Sequence, residues 1–224
     1  MLKFGKKDKK DKKKAKKVEE ESVEETSEEE QEEGKKVTLV DLLGGGEEGP
    51  EGRSIMFVGE VTEEKSADLI SALLVLAQTK DEEEERAEDI KLYISTYGGS
   101  ADEMFAIYDV MNFCKQFCDI QTIGIGKVMS AGTLLLAAGT EGKRYLGQHC
   151  RVMIHSVNGG SMGELHNLQN EMEQIAGLQE SYIQAMSNET SMTKRQIQTL
   201  INRKVNVYLS ADEAIEKGLA DEVL

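Results

Sequence analysis

One serine and one histidine of this chain stand in segments suited to nucleophilic chemistry. Ser130 lies in the glycine-rich segment 124–132 (GIGKVMSAG), and His155 ends the apolar segment 151–155 (RVMIH). A serine hydroxyl is a poor nucleophile at neutral pH unless an imidazole accepts its proton. If folding brings the two side chains together, this pair predicts acyl transfer through an activated serine.

Attack on a carbonyl also needs hydrogen-bond donors for the oxygen that becomes negatively charged. Ala131 begins the helix predicted after the serine, so its N–H has no partner within that helix. Gly98 and Gly99 follow a predicted strand, and without side chains they let the backbone approach a ligand closely. The amides of Gly99 and Ala131 are therefore the candidate oxyanion donors.

Each of these residues also has a purely structural explanation. Ser130 could cap the helix that follows it, His155 could be a core histidine, and the two glycines could form a tight turn. His149 and His166 have the pattern of surface residues, which leaves His155 as the candidate base. We find no zinc-ligand spacing and no dinucleotide-binding glycine pattern, so the sequence predicts no metal and no cofactor.

Length and charge limit the class of protein. A chain of 224 residues with a net charge of −15 predicts one domain with a sizeable core plus a disordered extension. The acidic balance argues against nucleic-acid binding. Cys114, Cys118 and Cys150 are expected to be reduced core thiols in a reducing compartment.

No targeting signal is recognisable in the sequence, which predicts a cytoplasmic protein. No apolar run approaches the length needed to span a bilayer, so no membrane association is predicted. The lysine-rich start leads into glutamates where a signal peptide would have its apolar stretch.

The elements that must position the candidate residues alternate between strands and helices. The predicted strands are 55–58, 90–95, 120–125 and 151–155, and the predicted helices are 66–78, 101–117, 131–138 and 164–188, with a charged loop at 80–89. This order predicts an α/β fold with parallel strands and right-handed crossovers. Because ligand sites in such folds lie at the carboxyl ends of strands, the glycine segments around Gly98 and Ser130 should face one site.

The first 52 residues differ from the rest. A lysine block (3–17), a glutamate block (19–33) and a glycine-rich link (44–52) are too polar to offset chain entropy, so we expect a disordered charged extension. The short apolar run 37–43 is an exception, and it either docks on a surface or, as we favour, forms a weakly structured spacer.

Five ordered motifs resemble the ClpP family of proteolytic subunits. They are 92–99 (LYISTYGG), 124–139 (GIGKVMSAGTLLLAAG), 142–145 (GKRY), 151–155 (RVMIH) and 209–221 (LSADEAIEKGLAD). The resemblance extends from about Ser54 to Leu224. It implies a ClpP/crotonase-like fold of repeated βαβ units with a protruding handle helix, and a serine peptidase domain at 53–224.

The resemblance also implies a function and an assembly. The nucleophile would be Ser130, the base His155 and the oxyanion donors Gly99 and Ala131, with Asn206 at the third triad position. The family forms double heptameric rings, here a homo-oligomer, that degrade unfolded polypeptides delivered by a hexameric AAA+ unfoldase.

Several positions depart from the family pattern. Asn206 replaces the usual aspartate; its oxygen can hold the histidine ring but adds no negative charge, which predicts a weakened peptidase whose rate rises toward alkaline pH. Tyr97 replaces a proline and Ala131 a methionine, while Ser156 and Val157 replace Gln-Pro, so the substrate groove is altered.

Other expectations concern assembly. The glycine-rich segment 158–163 could pair with a peptide or with the opposite ring, and helix 164–188 is expected to pack between rings. The usual amino-terminal hairpin and first helix are replaced by the charged extension. Either the run 37–43 takes the place of that helix, or the subunit works without the usual ATPase, as a specialised peptidase or in a mixed ring.

Two other functions remain open from the sequence. A proteolytically silent structural subunit is suggested by Asn206 and by the altered amino-terminal region. An acyl-thioester enzyme of the crotonase type would share the two-amide oxyanion hole, but it would not need Ser130 to face His155.

Overall fold

The computed structural model describes residues 52–79, 85–160 and 162–224. In chain order the strands are β1 (Ser54–Val61), β2 (Ile90–Gly99), β3 (Ile120–Met129), β4 (Arg144–Leu146), β5 (Arg151–Ile154), β6 (Val207–Leu209) and β7 (Glu222–Val223), and the helices are α1 (Glu63–Gln78), α2 (Ala101–Cys114), α3 (Ala131–Ala137), α4 (Leu165–Glu189), α5 (Lys194–Ile201) and α6 (Ala211–Glu216). The predicted extension up to residue 51, with its apolar run 37–43, and residues 80–84 of the predicted loop lie outside the described residues.

One sheet joins the strands of the described residues. Its main path runs β1-β2-β3-β4-β7 with every neighbouring pair parallel, while β5 pairs in parallel with β3 and antiparallel with β6. Helices α1 and α2 form the crossovers between the first three strands. The predicted α/β fold of repeated βαβ units is thereby confirmed.

A bend in β3 lets this strand serve two partners along one edge. Its first half, Thr122–Gly124, pairs with β4, and its second half, Lys127–Met129, pairs with β5. Gly126 lies between the halves with φ at +68°, and the register with β2 shifts at the same place. Such a bulge redirects a strand. Here it sets the carboxyl ends of β3 and β5 side by side, whereas the sequence predicted that this strand ends at residue 125.

Helices α1 and α2 cover one face of the sheet with apolar side chains. α1 begins at Glu63, three residues before the predicted start, because the Thr62 hydroxyl accepts a hydrogen bond from the Lys65 N–H at 3.5 Å. The acidic first turn also suits a helix amino terminus.

The predicted core thiols are confirmed: the three cysteines are free and buried (Cys114, Cys118 and Cys150).

Helix α4 is buried only over its second half. Its buried residues are Tyr182, Ile183, Ala185 and Met186. In the first half, Leu165 is 66% exposed and Met172 is 72% exposed. The packing of this helix between rings stays a prediction.

Across residues 52–79, 85–160 and 162–224, no helix has the length and apolar character needed to cross a membrane.

Candidate active site

Ser130 occupies the sharp connection between β3 and α3. Its backbone has φ 55° and ψ −122°, a conformation that side-chain-bearing residues rarely adopt. The Ser130 N–H donates to the carbonyl of Met153 at 2.8 Å, which continues the pairing of β3 with β5. The Ser130 hydroxyl makes no capping hydrogen bond to α3, so the structural explanation of this serine as a helix cap does not hold.

His155 directly follows β5 and faces the serine. Its Nε2 lies 2.7 Å from Ser130 Oγ. Burial of the ring lowers the pKa of His155 below its ordinary value of 6.5, so the imidazole is neutral at neutral pH. A neutral imidazole in hydrogen-bond contact with a hydroxyl can accept its proton.

Gly98 and Gly99 end strand β2 and pair with Glu60 and Val61 of β1. The tight turn considered as a structural explanation of these glycines is therefore wrong, because the strand continues through them. A side chain on Gly98 would come within 2.5 Å of Ser130 Cβ and 3.0 Å of Ser130 Oγ, and one on Gly99 would collide with the Val61 carbonyl. Only bare backbone fits beside the serine at this point.

The amide of Gly98 is already engaged. Its N–H donates to Thr96 Oγ1 at 2.9 Å, and the Thr96 side chain is buried. Of the two glycine amides, that of Gly99 is consequently the better candidate for binding a substrate oxygen. Ala131 is the first residue of α3, so its N–H has no acceptor within the helix.

These residues line one cleft of about 670 Å³. Four of the five predicted site residues reach it: Gly99, Ala131, Ser130 and His155. The apolar part of its wall comes from α2 and α4 and includes Met104, Ile175, Leu178 and Tyr182. A serine, a neutral imidazole and two backbone amides in one cleft can perform acyl transfer.

The fifth predicted residue, Asn206, is not bonded to the histidine in the described structure. Asn206 is exposed, and its Nδ2 donates to Tyr208 Oη at 3.5 Å. Asn206 nevertheless lies next to the ladder in which β5 and β6 pair Ile154 with Val207. One further step of this register sets Asn206 opposite His155.

Asn158 contacts the histidine in its place. Asn158 Nδ2 lies 3.3 Å from His155 Nδ1. An amide nitrogen is only a donor, so this orientation of the Asn158 amide favours the tautomer in which Nδ1 accepts. Asn158 was not among the predicted site residues; its place three residues after the histidine was the available signal.

Tyr97 forms part of the altered rim of the cleft, and Lys127 contacts its ring. Tyr97 is 69% exposed and lines the cleft, and the Lys127 ammonium lies 4.6 Å from the centre of its ring. Ser156 and Val157 line the cleft as well. Four of the positions that depart from the family pattern, Tyr97, Ala131, Ser156 and Val157, therefore line this cleft.

The two other histidines of the chain lie on the surface. His149 and His166 are exposed, as predicted. Among the residues that the structure describes, no group of three or more His, Cys, Asp or Glu side chains is arranged to hold a metal ion.

Comparison with known proteins places this geometry in context. The family model described as Clp protease matches residues 50–224. The "ATP-dependent Clp protease proteolytic subunit 2" of Thermobifida fusca (strain YX) is 36% identical over 170 residues, which cover 76% of this chain and 80% of that protein. Proteins of the same name from Parasynechococcus marenigrum (strain WH8102) and Synechococcus sp. (strain CC9605) are 36% and 35% identical over 170 residues, covering 76% of this chain and 82% of each relative.

Proposed function

The chain belongs to the Clp protease family, and we propose that it is a serine endopeptidase subunit of a self-compartmentalised Clp-type protease. Its substrates are unfolded polypeptides, and its catalytic residues are Ser130, His155 and Asn206. The observation that carries the proposal is the 2.7 Å contact between Ser130 Oγ and His155 Nε2, in the cleft that Gly99 and Ala131 also line.

The reaction follows from the positions of these groups. His155 Nε2 takes the proton of Ser130 Oγ as Oγ attacks the peptide carbonyl, and the negative oxygen accepts hydrogen bonds from the Gly99 and Ala131 amides. His155 then gives this proton to the leaving amine, which leaves an acyl group on Ser130. A water molecule then attacks the acyl carbon and loses a proton to His155. His155 returns this proton to Ser130 Oγ as the acyl bond breaks, which releases the product with its new carboxyl group.

Asn206 is the proposed third member because it holds the ring in the productive tautomer. Nε2 can accept the serine proton only when the ring's own proton is on Nδ1. The Asn206 oxygen can accept that Nδ1–H, whereas Asn158 Nδ2 favours the opposite tautomer. We propose that Asn206 turns from Tyr208 to His155 when the subunit is active.

The pH dependence of kcat/KM tests the role of Asn206. Because burial lowers the pKa of His155, the rise of kcat/KM with pH in the wild type is expected to have its midpoint below the ordinary 6.5. Asn206→Asp adds a negative charge that stabilises the imidazolium, so we expect a higher midpoint and a kcat roughly tenfold higher or more.

Asn158→Ala is the matched control for this measurement. It removes the amide that contacts the same imidazole ring and leaves Asn206 in place. We expect kcat to change by less than about threefold, which corresponds to the loss of one weak, exposed hydrogen bond. An unchanged profile and rate for Asn206→Asp would show that the third position does not limit catalysis. A large loss in Asn158→Ala would assign the third position to Asn158.

Assembly is a further part of the proposal. We propose that subunits form a homo-oligomeric double heptameric ring and that an AAA+ unfoldase delivers the substrate. The exposed apolar side chains of the first half of α4 and of Met162, which is 97% exposed, support a contact between subunits there. The three relatives are named as subunits of an ATP-dependent protease, which supports the unfoldase as partner.

One experiment separates this proposal from the two other functions. The native mass of the particle formed by the purified full-length chain is measured. The particle is then incubated with an unfolded protein and, separately, with an acyl thioester. A particle of fourteen subunits that releases peptides is expected. An assembled particle without peptide release would favour a silent subunit, which the orientation of Asn206 toward Tyr208 also suggests. Thioester cleavage alone would favour the crotonase-type enzyme.

A further inference from the structure

Two buried hydroxyl groups form a chain that ends on the carbonyl of Ser130. Thr133 Oγ1 donates to the Ser130 carbonyl oxygen at 2.6 Å, and Tyr182 Oη lies 2.7 Å from Thr133 Oγ1. Because the threonine hydrogen is used on the carbonyl, Tyr182 must be the donor in the second bond. The order is therefore Tyr182 to Thr133 to Ser130, from helix α4 through α3 to the nucleophile.

The hydrogen bonds from Tyr182 to Thr133 and from Thr133 to Ser130 persist at every pH at which the protein would work. Tyr182 is 4% exposed, and burial raises its pKa to about 12, so its hydroxyl keeps its proton. Thr133 has no titratable group and is fully buried. Neither hydroxyl can exchange its partner for water without a local opening of the structure.

The carbonyl that receives these bonds shares a peptide plane with a proposed catalytic group. The C=O of Ser130 and the N–H of Ala131 belong to one rigid, planar amide and point in opposite directions. The Ser130 carbonyl accepts both Thr133 Oγ1 and the Thr133 N–H, the latter at 2.9 Å. Fixing the oxygen on one side of the plane fixes the direction of the Ala131 N–H on the other.

The backbone at this place needs such support. Ser130 has a positive φ of 55°, a conformation that is held only where the surroundings impose it. Its N–H is fixed by Met153 and its carbonyl by Thr133. We infer that Thr133 and Tyr182 are positioning residues that aim the Ala131 amide at the substrate oxygen, an inference that rests on the proposed peptidase function.

The two bonds also have a simpler explanation, which the experiment must separate. A threonine in the first turn often bonds back to a carbonyl, and a buried tyrosine needs a partner for its hydroxyl. In that case the loss of either hydroxyl would lower stability and leave turnover per folded molecule unchanged. A positioning role predicts instead a fall in kcat with little change in KM.

Kinetics of the assembled full-length chain on a fluorogenic peptide test the inference, with active molecules counted by fluorophosphonate titration. Thr133→Val removes the hydroxyl at nearly constant shape, and kcat is expected to fall about tenfold with KM within about twofold. Thr133→Ser restores the hydroxyl and should recover most of kcat. Tyr182→Phe removes only the outer donor and should lower kcat about threefold, which keeps the test valid if Thr133→Val folds poorly.

A double-mutant cycle with Ala131→Pro gives the decisive comparison. Proline removes the N–H that Thr133 is proposed to aim, so Thr133→Val should cause no further loss in that background. An unchanged kcat in Thr133→Val, an equal loss in both backgrounds, or no recovery in Thr133→Ser would overturn the inference. A wild type without peptidase activity would overturn both this inference and the proposed function, whereas an active wild type with an unaffected Thr133→Val would overturn the inference alone.

Discussion

Replacing Ser130 by alanine is expected to lower kcat for peptide hydrolysis by about 10³-fold or more. The change removes the oxygen that would form the acyl-enzyme and leaves the oxyanion donors in place. Serine hydrolases that lose the nucleophile retain only the acceleration due to binding and the oxyanion hole. Initial rates with a fluorogenic peptide, measured on assembled particles, provide the value.

Ser181→Ala is the matched control for this variant. Ser181 is an exposed serine of α4, so the same loss of one hydroxyl there should leave kcat within about twofold. The thermal unfolding midpoint of Ser130→Ala should stay close to that of the wild type, because within the described residues the wild-type Ser130 hydroxyl bonds only to His155, which is half-buried. A Ser130→Ala variant that keeps more than a tenth of the wild-type rate would exclude serine attack as the main route.

Replacing Ala131 by proline should have the second largest effect. Proline has no N–H, so the variant loses one of the two proposed oxyanion donors while Ser130 and His155 keep their side chains. Loss of one such donor lowers kcat by roughly 10² to 10³-fold. Proline is tolerated at the first position of a helix, but it also restricts the backbone of the preceding residue, here Ser130, so the comparison requires an unchanged thermal unfolding midpoint of the variant.

Ala131→Gly separates the amide from the side chain. Glycine keeps the N–H and removes only a methyl group that is 5% exposed, so it should lose far less activity than the proline variant. Rates and far-ultraviolet circular dichroism of the two variants make the comparison. Equal losses in both variants, with the fold intact, would mean that the Ala131 amide does not bind the transition state.

Apart from the short strand β4 (Arg144–Leu146), which was not predicted, the order of strands and helices could be predicted up to about residue 188 because apolar periodicity is a local signal. Boundaries were less accurate where polar residues decide them, as at Thr62, whose cap extends α1 by a turn. No elements were predicted after residue 188, although capping boxes precede α5 at Thr193 and α6 at Ser210. β3 was predicted too short because glycines 124 and 126 suggested a turn, whereas Gly126 forms the bend within the strand.

The candidate site was predictable where residue type alone is informative. Ser130, His155, Gly99 and Ala131 could be proposed because nucleophile, base and bare backbone amides have recognisable chemistry, and the structure brings the four to one cleft. The contact between Gly98 and Ser130 depends on the register of β2 with β1 and β3, which the sequence does not state. Likewise, Tyr182 lies 49 positions from Thr133, and only the packing of α4 on α3 brings their hydroxyls together.

Covalent labelling by a fluorophosphonate shows whether His155 activates the Ser130 hydroxyl. The reagent reacts with a serine whose hydroxyl is activated by a base, and peptide mapping by mass spectrometry identifies the residue that carries the phosphonyl group. The account predicts a single label on Ser130 of the intact particle and at least about 10²-fold slower labelling of the variant His155→Ala. No label, a label on another serine, or the same labelling rate in His155→Ala would contradict it.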